Sequence, residues 1–293
     1  MDRRFVRVEV FTDTPGHGNP AGVVVASQPI PDLLQRRWSE TVRQPGNGFV
    51  WPATPGTYHA RFHTPGKEVG LSGHTALACA HAVLSGPVAG AHRVRLKSRT
   101  ADLEIERADG MLWITLPRPV LEPFDAPLTR IAKALRMDAD GFLITTKVAR
   151  TGDGDLLLQV ASFIDLVTLQ PDFDALAAIA TELGTRGFCV FSTRTQDPAS
   201  HVQSRFFAPQ IGLNEDIATG SVHGPLAFHL WNTGIVAPKS PTLRIVGEQG
   251  AALGRPCRVQ VELTIDDAAL VRTRVGGQVV TLEDRPLAPG ELA

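Results

Sequence analysis

The sequence has few cysteines, few aromatic residues and almost no net charge, and these shortages exclude several classes of protein. Its three cysteines are odd in number, widely separated and set in largely apolar surroundings. That pattern is typical of buried thiols in a reducing compartment, and it excludes a CxxC metal or redox pair. A formal charge of −1 and a pI near 6.8 give no reason to expect nucleic acid or an anionic membrane as a partner.

Long apolar runs are also missing. A run such as GVVVA, residues 22–26, has the length of a strand and is far too short to span a membrane. The N-terminal residues pass directly into an alternating strand, so no signal peptide is visible. We therefore expect a cytoplasmic protein that acts on a small molecule, with neither nucleic acid nor membrane as its partner.

The histidines show no strong metal-binding pattern. His59 and His63 share one face of a predicted strand, but they are too far apart along it to bind one ion. His74 and His81 are two turns apart on a predicted helix, and no zinc motif is present. We expect no metal.

Periodicity predicts a mixture of strands and helices. Alternation and β-branched residues predict strands at residues 5–12, 21–27, 58–64, 92–98, 101–107 and 112–117. Helical spacing of apolar residues predicts helices at residues 31–42, 74–84, 126–136, 172–183 and 221–231.

Two stretches half a chain apart follow the same plan. Residues 61–84 and 205–231 each contain an Arg-Phe strand, a short loop, and a Gly-polar pair that begins a helix of small residues. Gly73 and Gly220, which begin these helices, are 147 positions apart. We predict a duplicated α+β fold of two lobes, residues 1–120 and 121–293, related by a pseudo-twofold axis with a cleft between them. The terminal strands can exchange between the lobes.

The two helix starts predict an anion-binding site. Gly73 and His74 begin one helix, and Gly220 and Ser221 begin the other. A helix N-terminus presents unpaired N–H groups and the positive end of the helix dipole, and glycine lets a ligand approach the backbone. At a single helix start, a residue such as Thr75 can simply be a cap. The matched pair favours binding of a small carboxylate.

A carboxylate and an imidazole stand next to these helix starts. Asp216 precedes Gly220 by four residues, and His74 directly follows Gly73. Either residue can serve only as a cap or a dipole partner. Together in a water-poor cleft, they can also move protons on and off carbon. Both are therefore candidate proton carriers.

Four motifs in order resemble the PhzF family, the phenazine-biosynthesis isomerases and their relatives. They are VEVFTDTP (8–15), GNPAGVV (18–24), TPGKEVGLSGHTALA (64–78) and FAPQIGLNEDIATGSVHGPLA (207–227). The resemblance covers essentially the whole chain, and it is specific because the blocks occur together. It implies a diaminopimelate-epimerase-like fold in which each lobe is a barrel-like, mostly antiparallel sheet around a central helix. It also implies no metal, no organic cofactor and commonly a homodimer.

The resemblance implies which residues form the site. Epimerases of this fold carry a cysteine at each helix start, whereas this chain has His74 and Ser221, so a two-thiol mechanism is excluded by residue type. In the PhzF branch the equivalent histidine, aspartate and serine line the substrate site, which implies catalytic roles for His74, Asp216 and Ser221. The residues expected to bind the substrate are Asn19, Gly46, Gly73, His74, Thr75, Gly220 and Ser221.

The family's principal acid/base glutamate, which follows the first helix, is hard to place in this chain. The SET block at residues 39–41 offers Glu40, but using it shortens the helix and lengthens the path to the next strand. An ungapped count of 27 residues from Asn19 leads to Gly46. We favour Gly46, so that the stretch RQPGNGF, residues 43–49, replaces the glutamate by a turn.

Three interpretations stay open. Proton transfer has moved to another group, with Asp216 the first candidate, His74 the second, and Glu215 or His17 behind them. Alternatively, the chain is an inactive carboxylate-binding or scaffold protein, or Glu40 reaches the cleft after all. We favour the first, because a mere binder does not need Asp216 beside the second helix start.

The expected activity is that of a cofactor-independent isomerase. It would move a C=C bond by proton transfer in a small unsaturated cyclic amino or imino acid of bacterial secondary metabolism. The resemblance implies the 4-alkyl-L-proline antibiotic precursor pathway as one setting, since a glycine at position 46 leaves room for an alkenyl chain. The phenazine-type dihydro-hydroxyanthranilate isomerisation is the other setting.

Overall fold

The computed structural model describes residues 3–143, 148–238, 240–288 and 290–292. Its internal contacts divide the chain into two compact units. Unit 1 comprises Met1–Thr115 and Val275–Ala293, and unit 2 comprises Leu116–Arg274. By its contacts, the C-terminal strand therefore belongs to the unit that the N-terminal residues form.

In unit 1 the strands form a sheet that encloses one helix, and a second helix packs on the other face of the sheet. Its elements are β1 (Arg3–Val10), β2 (Asn19–Ala26), α1 (Asp32–Val42), β3 (Gly46–Thr54), β4 (Thr57–Thr64), β5 (Lys67–Val69), α2 (Gly73–Leu84), β6 (Arg93–Lys97), β7 (Asp102–Ala108), β8 (Met111–Leu116) and, at the C-terminus, β18 (Val279–Pro286). Most neighbouring strands are antiparallel, whereas β2 with β3 and β4 with β6 are parallel.

The helix α2 is enclosed by this sheet. It contacts β1, β2, β3, β4, β6 and β7. Every residue from Thr75 to Leu84 is buried except His81, as expected for a helix that is apolar on all sides. On the opposite face of the sheet, Trp38 of α1 packs with Phe5 at a ring-centroid distance of 5.4 Å and with Phe49 of β3.

The predicted turn at residues 43–49 is wrong for most of its length. The backbone turns at Arg43, which ends α1 in the left-handed region with a φ of 51°. Gly46 already begins β3 and pairs in parallel with Ala21 of β2. Pro-Gly and Asn-Gly favour turns in an isolated segment. Here the glycines are strand residues that pack against α2.

Unit 2 contains the remaining elements. They are β9 (Leu121–Pro123), α3 (Leu128–Leu135), β10 (Ala149–Thr151), β11 (Asp155–Gln159), α4 (Phe163–Thr168), α5 (Phe173–Leu183), β12 (Gly187–Ser192), β13 (Val202–Ala208), β14 (Leu213–Asp216), α6 (Gly220–Asn232), β15 (Thr242–Gln249), β16 (Cys257–Asp266) and β17 (Ala269–Gly277), whose last residues belong to unit 1.

Unit 2 repeats the plan of unit 1. Strands β10 to β16 pair in the same order and the same directions as β1 to β7, including the parallel pairs β11 with β12 and β13 with β15. In both units a strand, a short antiparallel strand and a glycine-initiated helix follow one another, namely β4, β5 and α2, and β13, β14 and α6. The predicted duplicated α+β fold class is confirmed.

The predicted helices are all present, each with ends within two residues of the prediction. The sequence missed α4, because a helix of six residues is too short to show a period. Cys79, Cys189 and Cys257 are buried, as expected, and none of them forms a disulfide within the part of the chain that the structure describes. In the part of the chain that the structure describes, no helix is long and apolar enough to cross a membrane.

Candidate active site

The first group of predicted site residues lies at the N-terminus of α2 in unit 1. Ser72 precedes the helix in an extended conformation, and its Oγ lies 2.8 Å from Thr75 Oγ1 and 3.4 Å from His74 Nδ1. Thr75 Oγ1 lies 3.4 Å from His74 Nε2. A Cβ built on Gly73 would have no neighbour within 4 Å, so the backbone there is open to a ligand.

The imidazole of His74 is neutral at pH 7. Burial lowers the pKa of His74 to about 4, because the imidazolium ion would lose its solvation. His74 can therefore accept a proton without first losing one.

Gly46 of β3 faces this helix start directly. A Cβ built on Gly46 would overlap with Thr75 Oγ1 and His74 Nε2. Two residues further along the same face, a Cβ on Gly48 would overlap with Cys79 Sγ. The two glycines let the strand lie unusually close to α2. The imidazole of His74 thus fills the space that a side chain at position 46 would need.

Glu40 lies on the outer surface of α1. Half of its side chain is exposed (50 %), and its carboxylate accepts a hydrogen bond of 3.2 Å from Arg36 one helical turn earlier. A Cβ built on Gly66 would lie 3.0 Å from Glu40 Oε1. The structure therefore places Glu40 beside Arg36 and the β4–β5 turn, with its side chain half exposed to solvent.

Asn19 and His17 belong to the turn between β1 and β2. Asn19 is fully buried as the first residue of β2, opposite Val10. In the same turn the buried carboxylate of Glu9 accepts a hydrogen bond of 2.7 Å from Gly16 N. His17 N donates to Thr14 O at 3.2 Å. Hydrogen bonds between residues of β1 and the turn thus stabilise the conformation of the turn.

The second group lies at the N-terminus of α6 in unit 2. Asp216 ends β14 and is half-buried, and its Oδ2 accepts a hydrogen bond of 2.7 Å from Thr219 Oγ1. Gln249, the last residue of β15, donates to Thr219 Oγ1 at 3.1 Å and to Asp216 O at 2.8 Å. Gln249 Oε1 accepts from Thr219 N at 3.2 Å. Both supporting residues are buried.

Arg186 is a charged residue at this helix start that the sequence analysis missed. Its guanidinium binds both carboxylate oxygens of the buried Asp155, and its Nη2 also donates to Ser221 Oγ at 3.2 Å. Burial opposes the charge of Arg186, but Asp155, Asp153 and Asp216 together raise its pKa. Because arginine only donates, Ser221 Oγ is the acceptor, and the Ser221 hydroxyl proton is left to donate elsewhere.

The register of the sheet could have revealed this pair. Strands β11 and β12 are parallel, with Asp155 opposite Gly187. A carboxylate that begins one strand and an arginine that immediately precedes the next therefore meet at the same edge of the sheet. The sequence signal was the charged pair that flanks two otherwise apolar strands.

Glu215, a candidate proton carrier behind Asp216 and His74, forms a buried ion pair with Arg205. Its carboxylate accepts two hydrogen bonds from Arg205, at 2.8 and 2.7 Å, and both side chains are more than 90 % buried. Arg205 also donates to the carbonyl oxygens of Leu166 and Leu169 at 3.3 and 2.7 Å. This ion pair joins β13, β14 and the end of α4.

The structure thus gathers most of the predicted residues into one group in each unit, and Asn19 belongs to neither group. Gly46, Gly73, His74 and Thr75 are neighbours in unit 1. Asp216, Gly220 and Ser221 cluster around the start of α6 in unit 2. Among the residues described, no three His, Cys, Asp or Glu side chains form a group that could hold a metal ion.

Comparisons with known proteins match nearly the whole chain. A family model described as "PhzC-PhzF: Phenazine biosynthesis-like protein" matches residues 8–285. The uncharacterized isomerase YddE of Escherichia coli K12 is 28% identical over 297 residues, which cover 96% of this chain and 97% of that protein. The trans-2,3-dihydro-3-hydroxyanthranilate isomerase of Pseudomonas aeruginosa is 30% identical over 262 residues, covering 87% of this chain and 88% of the relative.

Solved structures agree on the fold. A PhzF-family protein of Bacillus anthracis has a TM-score of 0.88 at 19% identity and covers 98% of this chain and 99% of its own. A predicted epimerase of Pseudomonas aeruginosa has a TM-score of 0.78 at 26% identity, with coverage of 98% and 100%.

Proposed function

The chain belongs to the phenazine biosynthesis-like (PhzC-PhzF) family, and on that premise we propose how it acts. Both the predicted family and the predicted enzyme class, an isomerase, are confirmed, since the relatives are named isomerases. The proposed reaction moves a C=C bond by proton transfer in a small unsaturated cyclic amino or imino acid. It proceeds without an organic cofactor.

The single observation that carries this proposal is the fixed carboxylate of Asp216 in a chain with no side chain at position 46. Thr219 donates to Asp216 Oδ2, and the guanidinium of Arg186 is close enough for its charge to act on Asp216. Both effects favour the ionised carboxylate, which is the form that removes a proton. In our proposal Asp216 takes the proton from carbon.

His74 is the proposed second proton carrier. It is neutral at pH 7, and it fills the space facing Gly46. Removal of a C–H proton sends the electron pair into a new C=C bond, and the far carbon of the old double bond then takes up a proton. His74 would serve that exchange as a partner base or as a hydrogen-bond donor.

The helix starts would stabilise the charge that develops in this reaction. The backbone N–H groups after Gly73 and Gly220 are oriented donors, and Ser221 has a hydroxyl proton to donate. Donors fixed before the reaction are the largest single source of stabilisation in many enzymes. They suit a substrate that carries a carboxylate.

We propose two candidate substrates. A pyrroline carboxylate with an alkenyl chain from a 4-alkyl-L-proline antibiotic pathway is one candidate, although the room that a glycine at position 46 was expected to leave is filled by His74 and Thr75. The name of the Pseudomonas aeruginosa relative favours trans-2,3-dihydro-3-hydroxyanthranilate as a second candidate. A carboxylate-binding protein without activity is the competing function.

Deuterium wash-in distinguishes these functions. The protein is incubated in D2O with alkenyl-pyrroline carboxylates and with trans-2,3-dihydro-3-hydroxyanthranilate, and each compound is followed by NMR and mass spectrometry. We expect deuterium at a ring or side-chain carbon together with a shifted double bond. Binding of a carboxylate without any exchange would support the inactive binder instead.

A further inference from the structure

The hydrogen bonds around Asp216 have only one possible direction. Thr219 N can only donate, so the atom of Gln249 that faces it is the amide oxygen. The amide nitrogen of Gln249 therefore points to Asp216 O and Thr219 Oγ1, and both accept. Since Thr219 Oγ1 already accepts from Gln249, its single proton goes to Asp216 Oδ2.

We propose that Thr219 and Gln249 are positioning residues that keep Asp216 ionised and fix the orientation of its carboxylate. The chain of donors ends on a carboxylate oxygen, where a hydrogen bond stabilises the anion more than the neutral acid. Gln249 is 1 % exposed, so water does not compete for the hydrogen bonds that fix the orientation of its side chain. This inference rests on the proposed role of Asp216 as the base.

The titratable groups described near Asp216 are paired with other residues or uncharged. Arg186 is shared with Asp155 and Asp153, which offset much of its charge. Glu215, on the same strand, is neutralised by Arg205. On α6, His223 donates from Nδ1 to Thr219 O at 2.8 Å, and burial lowers its pKa to about 4, so it is uncharged at neutral pH. Glu248, next to Gln249 on β15, accepts instead from Asp197 N at 3.2 Å.

Carboxyl NMR tests the proposal without a substrate. Aspartate is labelled with ¹³C at Cγ, the Asp216 signal is assigned by its loss in Asp216→Asn, and its shift is followed against pH. Thr219→Val removes the hydrogen bond that favours the ionised carboxylate, so it should move the titration midpoint upward by about 1 to 2 pH units. Thr219→Ser, which keeps the hydroxyl, should titrate like the wild type.

Two further variants separate positioning from packing. Gln249→Met removes the donor to Thr219 Oγ1 and should give a smaller upward shift than Thr219→Val. Thr273→Val is the matched control, because Thr273 is 1 % exposed and its hydroxyl has no hydrogen-bond partner among the described residues. We expect the control to leave the Asp216 midpoint unchanged.

The outcomes keep this inference apart from the proposed function. An unchanged midpoint in a folded Thr219→Val protein, or an equal shift in Thr273→Val, would overturn the positioning role. Undiminished deuterium exchange by Asp216→Asn would overturn the role of Asp216 as base, whatever the midpoints show. A raised midpoint in Thr219→Val together with an inactive Asp216→Asn supports both the positioning role of Thr219 and the role of Asp216 as base.

Discussion

Replacing Gly46 by alanine tests the close packing of β3 against the start of α2 in unit 1. The new Cβ would overlap with Thr75 Oγ1 and His74 Nε2. The half-buried imidazole of His74 can rotate away. Thr75 cannot, because it is fully buried and its Oγ1 lies 2.8 Å from Ser72 Oγ. β3 is held as well, since it pairs with β2 on one side and β4 on the other.

The expected cost follows from these contacts. Overpacking a well-filled core costs about 1–3 kcal/mol. An alanine also restricts the unfolded chain, which favours folding by about 0.4–1 kcal/mol. We therefore expect Gly46→Ala to lower the free energy of unfolding by about 1–2 kcal/mol. Because His74 has to move, proton exchange with substrate should fall as well.

Urea unfolding followed by tryptophan fluorescence measures this cost. Three of the four tryptophans, Trp38, Trp51 and Trp113, lie in unit 1 and report on its unfolding. Gly152→Ala is the control, because a Cβ there would lie at an ordinary distance of 3.4 Å from Val120 Cβ. The control should be neutral or slightly stabilising. Equal stability of Gly46→Ala and Gly152→Ala would refute the packing argument.

The ion pair and the buried imidazole of unit 2 give two further predictions. Arg186→Leu leaves the carboxylate of Asp155 buried and unpaired, so the free energy of unfolding should fall by about 3–5 kcal/mol. Arg130→Leu is the control, because Arg130 forms an exposed pair with Glu182 and its loss should hardly change the stability. Equal urea midpoints for the two variants would contradict this prediction. Burial lowers the pKa of His223 to about 4, against about 6.5 when unfolded, so below pH 6.5 the unfolded chain binds the proton more readily and stability is lost as the pH falls towards 4. That loss of stability amounts to about 3 kcal/mol at most. In His223→Asn the urea midpoint should therefore decrease less between pH 7 and pH 4.5 than it does in the wild type. An unchanged decrease would show that other groups cause the pH dependence.

Local patterns were sufficient to predict much of the fold. The helices at residues 74–84 and 221–231 each follow a Gly-polar start, and both are present as α2 and α6. The repeat between the halves was visible because equivalent strands and helices keep their order and spacing. Where a feature depends on periodicity or on a helix start, the sequence alone was enough to locate it.

Features that depend on long-range contacts were missed. Gly46 was predicted in a turn, but it is a strand residue that packs closely against α2. The residues next to it in the sequence give no sign of this long-range contact. Gln249 meets Asp216, 33 residues earlier, only because β15 runs parallel to β13, on which β14 folds back. The pairing of Arg186 with Asp155 likewise depends on the register of β11 and β12.

In our proposal, this isomerase moves protons with Asp216 and without a glutamate after its first helix. The most direct test compares the rate of solvent deuterium incorporation into one turned-over substrate by Asp216→Asn and by Glu40→Gln. Removal of a general acid/base typically costs about 10²–10⁴-fold, so Asp216→Asn should lose at least about 100-fold. Glu40→Gln should retain the wild-type rate, because Glu40 is exposed and paired with Arg36. A large loss in Glu40→Gln with an active Asp216→Asn would contradict the account.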